Sequence, residues 1–302
     1  MSSRATSGMS RALARRETIA GYLFMLPSLF FFITFVIYPM IMCVYTSLFD
    51  STMGKDVQDV FVGLQNYAAL FKDPIFMRAL KNTFIIVVVS VPATCIFSLW
   101  VASCIYKLRD WACSAFRVIF YLPVITGSVA VTVVWKWMFN KYYGIFNYIG
   151  TSTGVMENNI NWLGEEPFAL MCIILILFTT SVGQPIVLYV SALGNVDQSL
   201  VEAAQVDGAN SMQVFWKIKW PQIMPTTLYI LVITTINSFQ CFALIQLLTS
   251  GGPEHSTDTI MYYIYYTCFK LYDYGYANAM GVVLAIIIAV LSAIQFKVAK
   301  TE

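Results

Sequence analysis

The sequence predicts an all-α polytopic membrane protein with six transmembrane helices. Hydrophobic residues make up 59% of the 302-residue chain and charged residues only 11%, against about a quarter charged in an ordinary soluble domain. Six apolar runs each approach the ~20 residues that a helix needs to cross a bilayer. Charges and polar clusters collect between those runs, as they do in the loops of polytopic proteins.

Residues 1–18 are polar and carry Arg4, Arg11, Arg15 and Arg16. The apolar run that follows, 19–48, is too long for a signal-peptide core and lacks a small-residue cleavage site, so it reads as a retained first span. Pro27 and Pro39 are its candidate kinks. Further spans are expected at 82–106, 118–139, 168–193, 226–249 and 277–298. No internal repeat or low-complexity linker divides the chain. It reads as a short N-terminal arm, 1–18, and one membrane domain, 19–302.

Six spans place both termini on one side. One set of segments holds eleven basic residues, among them Arg4, Arg11, Arg15, Arg16, Lys107, Arg109, Arg117, Lys217, Lys219 and Lys300. The opposite set holds seven, including Lys55, mostly in longer loops. Positive charge favours the cytoplasmic side, so both termini and the 194–225 loop are expected there, in a multi-pass membrane protein. Loops 49–81, 140–167 and 250–276 then lie outside. The last is rich in aromatics, among them Tyr262, Tyr263, Tyr266 and Tyr276. They suit an aromatic belt on a short interfacial helix or, alternatively, rings that stack on a sugar.

The polar island 199–225 reads as two short helices joined at a bend. Ser199 and Glu202 have the spacing of a capping box, Gly208 suits a left-handed terminator, and Asn210 can cap the second helix. Met212, Phe215, Trp216 and Lys219 follow at helical spacing, and Pro221 is expected to stop that helix. With no His or Cys and only three scattered acids, counting Asp197 just before it, the island resembles no catalytic site. Such an amphipathic elbow between two spans is a surface for another protein to grip.

The predicted span cores contain no Asp, Glu, Arg or His, and Lys136 sits near the end of the third. A proton symporter needs an ionisable relay at membrane depth, so that class is disfavoured. The polar groups that are present are neutral. Thr234, Asn237, Ser238 and Cys241 fall at i, i+3, i+4 and i+7, which would form one helical stripe. Gly183-Gln184-Pro185 is a second candidate, because proline frees a backbone carbonyl and glycine admits close approach. Uncharged donors and acceptors suit a polyhydroxy solute; the competing readings are helix-to-helix hydrogen bonding for the stripe and a simple kink at Pro185.

Other classes are excluded more directly. A net charge of +2, with no basic stripe, gives no nucleic-acid footprint. Seven cysteines without a CxxC pair and a single histidine, His255, offer neither a disulfide framework nor a metal site. No phosphate-binding loop of the GxxxxGK[ST] type occurs, so any ATP hydrolysis belongs to another polypeptide. The spans hold no acid-base or nucleophile constellation for an embedded enzyme.

Glu202-Ala203-Ala204, Asp207-Gly208-Ala209, Phe215, Pro221 and Pro225 resemble the EAA loop of the membrane subunits of binding-protein-dependent ABC importers. Tyr121-Leu122-Pro123, Trp135-Lys136-Trp137, Asn161-Trp162-Leu163, 248–253 and 276–279 resemble the maltose-type sugar permeases. The resemblance covers nearly the whole chain after residue 19. It implies the type I importer permease fold and a cytoplasmic coupling helix. It also implies a second homologous permease, two ATPase subunits that bind ATP and Mg, and an extracytoplasmic solute-binding protein that delivers a sugar. Glu202 would then pair with a basic residue of the ATPase, and the Ala203–Gly208 helix would enter its cleft. Sugar contacts in such subunits come from positions matching Gly183, Ile186, Thr234, Asn237, Ser238 and Cys241. The chain departs from that pattern with isoleucine at 186 in place of an aromatic, and with Ser238 and Cys241 in place of amides. A glycerol phosphate or acidic oligosaccharide cargo is the alternative within the same machinery; an ATP-independent carrier or channel is the alternative outside it.

Overall fold

The structure is a computed structural model that describes residues 3–52 and 60–300, with side chains at 13–52 and 60–298. Lys55 lies outside the described residues, and the side chains of Arg4, Arg11 and Lys300 outside the described side chains. Among the described residues, four helices are long and apolar enough to cross a membrane, or six if each of two bent pairs is one span.

The first span is a continuous helical rod, α1 (Ser3–Phe32) and α2 (Tyr38–Thr46), joined by a π-turn at Ile33–Ile37. No break marks the expected arm at residue 18. Pro39 cannot donate an intrahelical bond, and the helix adjusts just before it: the Tyr38 N–H reaches back to the Ile33 carbonyl. Pro27 sits inside α1 without such an irregularity. The segment expected as an external loop carries a two-stranded antiparallel ribbon, β1 (Phe49–Asp50) and β2 (Val60–Phe61), then α3 (Gln65–Leu70).

The central element is α4 (Pro74–Ile105). Asp73 caps it, accepting from the Ile75 N–H at 2.8 Å, and Pro74 occupies the first turn, where no N–H is needed. Its 32 residues span ~48 Å, well beyond the ~30 Å hydrocarbon core. Thr83, Ser90, Thr94 and Ser98 are buried along it. These small side chains let α9 and α12 approach closely, the usual means of packing helices in lipid.

The third expected span is not one straight helix. It divides into α5 (Asp110–Ile125) and α6 (Ser128–Met138), which meet at 94°. Thr126 is extended, directly before Gly127, and Pro123 has already weakened the last turn of α5. Apolar composition fixed the length of this run but not its direction. After α7 (Ile145–Ser152), the fourth span is also a pair, α8 (Phe168–Ser181) and α9 (Gly183–Gly194), bent by 40°. Ser98 Oγ donates to the Val182 carbonyl at that break, across from α4.

The elbow comprises α10 (Gln198–Val206) and α11 (Ser211–Val214). Contrary to the expectation for Pro221, the second elbow helix does not stop there. It passes through a π-turn at Phe215–Lys219 straight into α12 (Trp220–Phe239), with Pro221 in the first turn of that helix. Beyond a break at 240–242 come α13 (Ala243–Leu248), α14 (Ile260–Phe269) and α15 (Tyr274–Lys300).

The aromatics of loop 250–276 divide between the core and the surface. Tyr262 and Tyr263 are buried, and Tyr263 and Tyr276 both donate to Asp73 Oδ2, at 2.7 and 2.9 Å. Tyr266, Phe269 and Tyr272 remain exposed. Arg78 ties this end of the molecule together, pairing with Glu166 and donating to the Glu254 carbonyl.

Candidate functional site

Two features stand out: the elbow and a row of cavities that follows the helix breaks. The elbow is two-sided. Val201 and Val214 are buried in one core cluster with Tyr189 and Leu193 of α9 and Ile223 of α12, and Ala204 and Ala209 pack against it. Burying a valine contributes ~1.5–3 kcal/mol, so the elbow is anchored to the spans rather than hung from them. The opposite face presents Glu202, Ala203, Asp207 and Gly208, and Val206 is 88% exposed.

The start of the elbow differs from expectation. Asp197, not Ser199, caps α10: its Oδ1 accepts from the Ser199 N–H at 2.9 Å and from Ser199 Oγ at 2.7 Å. These bonds hold the Asp197 carboxyl below its usual range. Glu202 is thereby released from a capping box, and its carboxylate makes no bond among the described residues. The same is true of Asp207, which closes the helix at its C-cap. The bend behaves as expected. Gly208 adopts φ +84°, and Asn210 and Gln213 form a reciprocal capping box with both bonds at 2.8 Å. The aromatic stripe splits: Met212 and Trp216 are exposed, while Phe215 is half-buried against Trp216.

Three adjoining cavities run past the breaks. The first, of about 320 Å³, lies between the α5/α6 and α12/α13 breaks and is lined by Thr126, Ser128, Gln240 and Cys241. It shares Val124 and Thr180 with a second, of about 130 Å³, lined by Gln184, Thr234 and Asn237. That one shares Gln184 and Leu188 with a third, of about 470 Å³, reaching Tyr121 and Arg117 on α5. The result is a groove whose polar groups come from discontinuous helices, where backbone and side-chain donors can face a cavity instead of lipid.

The expected pathway residues divide along this groove. Gln184, Thr234 and Asn237 line it together, and Cys241 lines its first section. Cys241 has left α12, so the four-residue stripe on one helix is broken at its last member. Ile186 is fully buried in the core beside Tyr189, and Ser238 is buried against Ser90, with the two hydroxyl oxygens 3.2 Å apart. Gly183 serves the close approach of α9 to α5: a Cβ there would overlap the Phe120 carbonyl oxygen. Gln240, Thr180 and Arg117 also line the groove, although the sequence pattern placed none of them on a solute path.

The sequence model of the family described as "Binding-protein-dependent transport system inner membrane component" matches residues 67–300, which include the groove and the elbow. The chain belongs to that family. The permease is also similar along its length to curated relatives. It is 30% identical over 280 residues to the multiple sugar-binding transport system permease protein MsmF of Streptococcus mutans, covering 93% of this chain and 95% of that one. It is 31% identical over 292 residues to the lactose transport system permease protein LacF of Rhizobium radiobacter, covering 96% and 97%. A solved structure of a bacterial ABC transporter involved in the import of the acidic polysaccharide alginate has the same fold. Its TM-score is 0.79 at 23% identity, covering 97% of this chain and 98% of that one.

This permease is therefore a multi-pass membrane component of an ABC importer served by a solute-binding protein, and a transport subunit rather than an enzyme. The Asp197 cap was legible as an Asp two residues before Ser199 at a helix start, a local signal as strong as the Ser-x-x-Glu spacing. Arg117 was not legible, because the helix containing it begins at Asp110, earlier than the apolar run suggested.

Proposed function

We propose that this permease imports a sugar or oligosaccharide, moved through the groove by ATPase subunits that grip the elbow. The observation that carries the reading is the core shared by Val201 and Val214 of the elbow with α9 and α12. Those two helices supply Gln184, Thr234 and Asn237 to the groove. A push on the exposed face of the elbow is thus delivered to the helices that line the path. The free carboxylates of Glu202 and Asp207 and the exposed Val206 form the face offered to the ATPase, with Glu202 meeting a basic residue. ATP and Mg are bound by those subunits. A second homologous permease completes the path, and the elbow and both termini face the cytoplasm. The named cargoes of MsmF and LacF support a sugar. The glycerol-3-phosphate permease UgpA of Agrobacterium fabrum, 28% identical, supports keeping an anionic cargo in view.

The test is Glu202→Lys in the assembled transporter. ATP-driven uptake in proteoliposomes is expected to fall at least tenfold, while membrane insertion is unchanged, because a buried interface ion pair becomes a like-charge contact worth several kcal/mol. Normal uptake in that variant would remove the docking role. Solute flux through the permease alone, without ATPase subunits, would replace the importer reading with that of a carrier or channel.

A further inference from the structure

The third cavity holds a charge that a path for a neutral solute does not need. Arg117 lies seven residues into α5, ~10 Å along the helix from Asp110. Its Nε is buried without a hydrogen-bond partner, and no carboxylate pairs with its guanidinium among the described residues. The walls beside it are mostly apolar, with Val118, Leu122, Ile125 and Val187, and Gln184 is the other polar side chain besides Tyr121. Arg117 is half-buried, and a charged side chain held among apolar walls and turned to a polar groove is a candidate for binding an anion. Its volume, about 470 Å³, falls within the ~300–1,000 Å³ of ligand cavities.

We propose that Arg117 and Gln184 form an anion-binding step on the elbow side of the groove, and that the cargo carries an acidic group, a carboxylate or phosphate on a saccharide. The planar guanidinium offers two parallel N–H donors to such a group, and Gln184 offers an amide to neighbouring hydroxyls. Gln184 belongs to the second and third cavities, so a solute leaving Thr234 and Asn237 can be handed to Arg117 without losing its polar contacts. This inference rests on the solute path proposed above.

The test uses the assembled transporter in phosphatidylcholine nanodiscs, with phenylglyoxal labelling of Arg117 read by mass spectrometry. Millimolar trigalacturonate is expected to slow labelling about threefold or more, as an anion paired with the guanidinium would, and maltotriose is not. In proteoliposomes, Arg117→Gln is expected to lower ATP-driven trigalacturonate uptake about tenfold, and Arg117→Lys to restore a substantial part of it. Equal protection by both sugars, or by neither, overturns the proposal. So does protection that appears only when phosphatidylglycerol replaces phosphatidylcholine, which would assign the site to a lipid headgroup. ATP-driven uptake of maltotriose but not trigalacturonate sinks this inference and leaves the sugar-import reading standing. Protection without ATP-driven uptake of either sugar sinks the import reading and leaves the anion site.

Discussion

Lys219 Nζ donates to Tyr106 Oη at 2.6 Å and lies 5.0 Å from the centre of that ring. The contact joins the last turn of the elbow to the end of α4, 113 residues earlier. It is a second connection between elbow and spans, polar where the Val201–Val214 anchor is apolar. Both partners are half-buried, so its strength lies between that of a surface pair and a buried one.

Tyr106→Phe keeps the ring under the ammonium and removes the hydrogen bond; Tyr106→Ala removes both. The expected cost is about 1 kcal/mol for the first and more for the second, with the ratio of solute moved to ATP hydrolysed falling in the same order. Thermal melts and paired uptake and ATPase assays check this. Equal behaviour of the two variants would deny the ring any part in holding the elbow.

Gly208 has no atom within 4 Å of where a Cβ would sit, so its requirement is conformational and not steric. Gly208→Ala is expected to cost ~1–2 kcal/mol through the left-handed backbone and to reduce coupled uptake. Gly208→Asn should be milder, since asparagine tolerates that region. If the two variants lose uptake equally, the side chain rather than the backbone is at fault, pointing to a tight fit against the docked partner.

Asn237 and Ile186 should separate cleanly. Asn237→Ala is expected to weaken apparent solute affinity severalfold at little cost in stability, since the side chain is exposed in the groove. Ile186→Ala is expected to cost ~2–5 kcal/mol by leaving a void in a filled core, with the solute affinity of the surviving protein unchanged. Melting curves beside uptake titrations decide between the two patterns.

Asp73 links acid stability to the packing of loop 250–276 against the start of α4. Burial opposes its ionisation, but hydrogen bonds from Tyr263, Tyr276 and the Ile75 and Phe76 N–H groups prevail and hold it below the ordinary 3.8. A depressed carboxyl contributes stability that is fully present above pH 3.8 and is lost as pH falls through its folded value. Tyr263→Phe removes one donor and should flatten that acid limb, measurable as a smaller loss of melting temperature on acidification. A slope unchanged from the parent would mean the Tyr263 bond does not set the Asp73 charge.

Several features of the chain were written locally. The apolar runs, the left-handed Gly208 and the Asn210 cap follow from residues within one or two turns of each other; the structure places Gly208 and the Asn210 cap where the pattern indicated and makes each run helical, two of them as bent pairs. The elbow was legible for the same reason, since amphipathic spacing and breakers are short-range signals. The Ser199 cap was misassigned to a competitor of equal local merit, Asp197.

By itself the sequence determined that the chain is helical, that it spans a membrane and that residues 199–225 form an amphipathic two-helix elbow. Only the tertiary structure decided which way the third run turns after Ile125, that Ile186 and Ser238 face neighbouring helices, and that Gln184, Asn237 and Arg117 meet along one groove. The physical reason is range. Hydrophobicity reports that a residue must leave water, and does so equally for lipid, core and cavity wall. Which of these receives it depends on helices more than fifty residues away and on breaks whose angles no local pattern specifies.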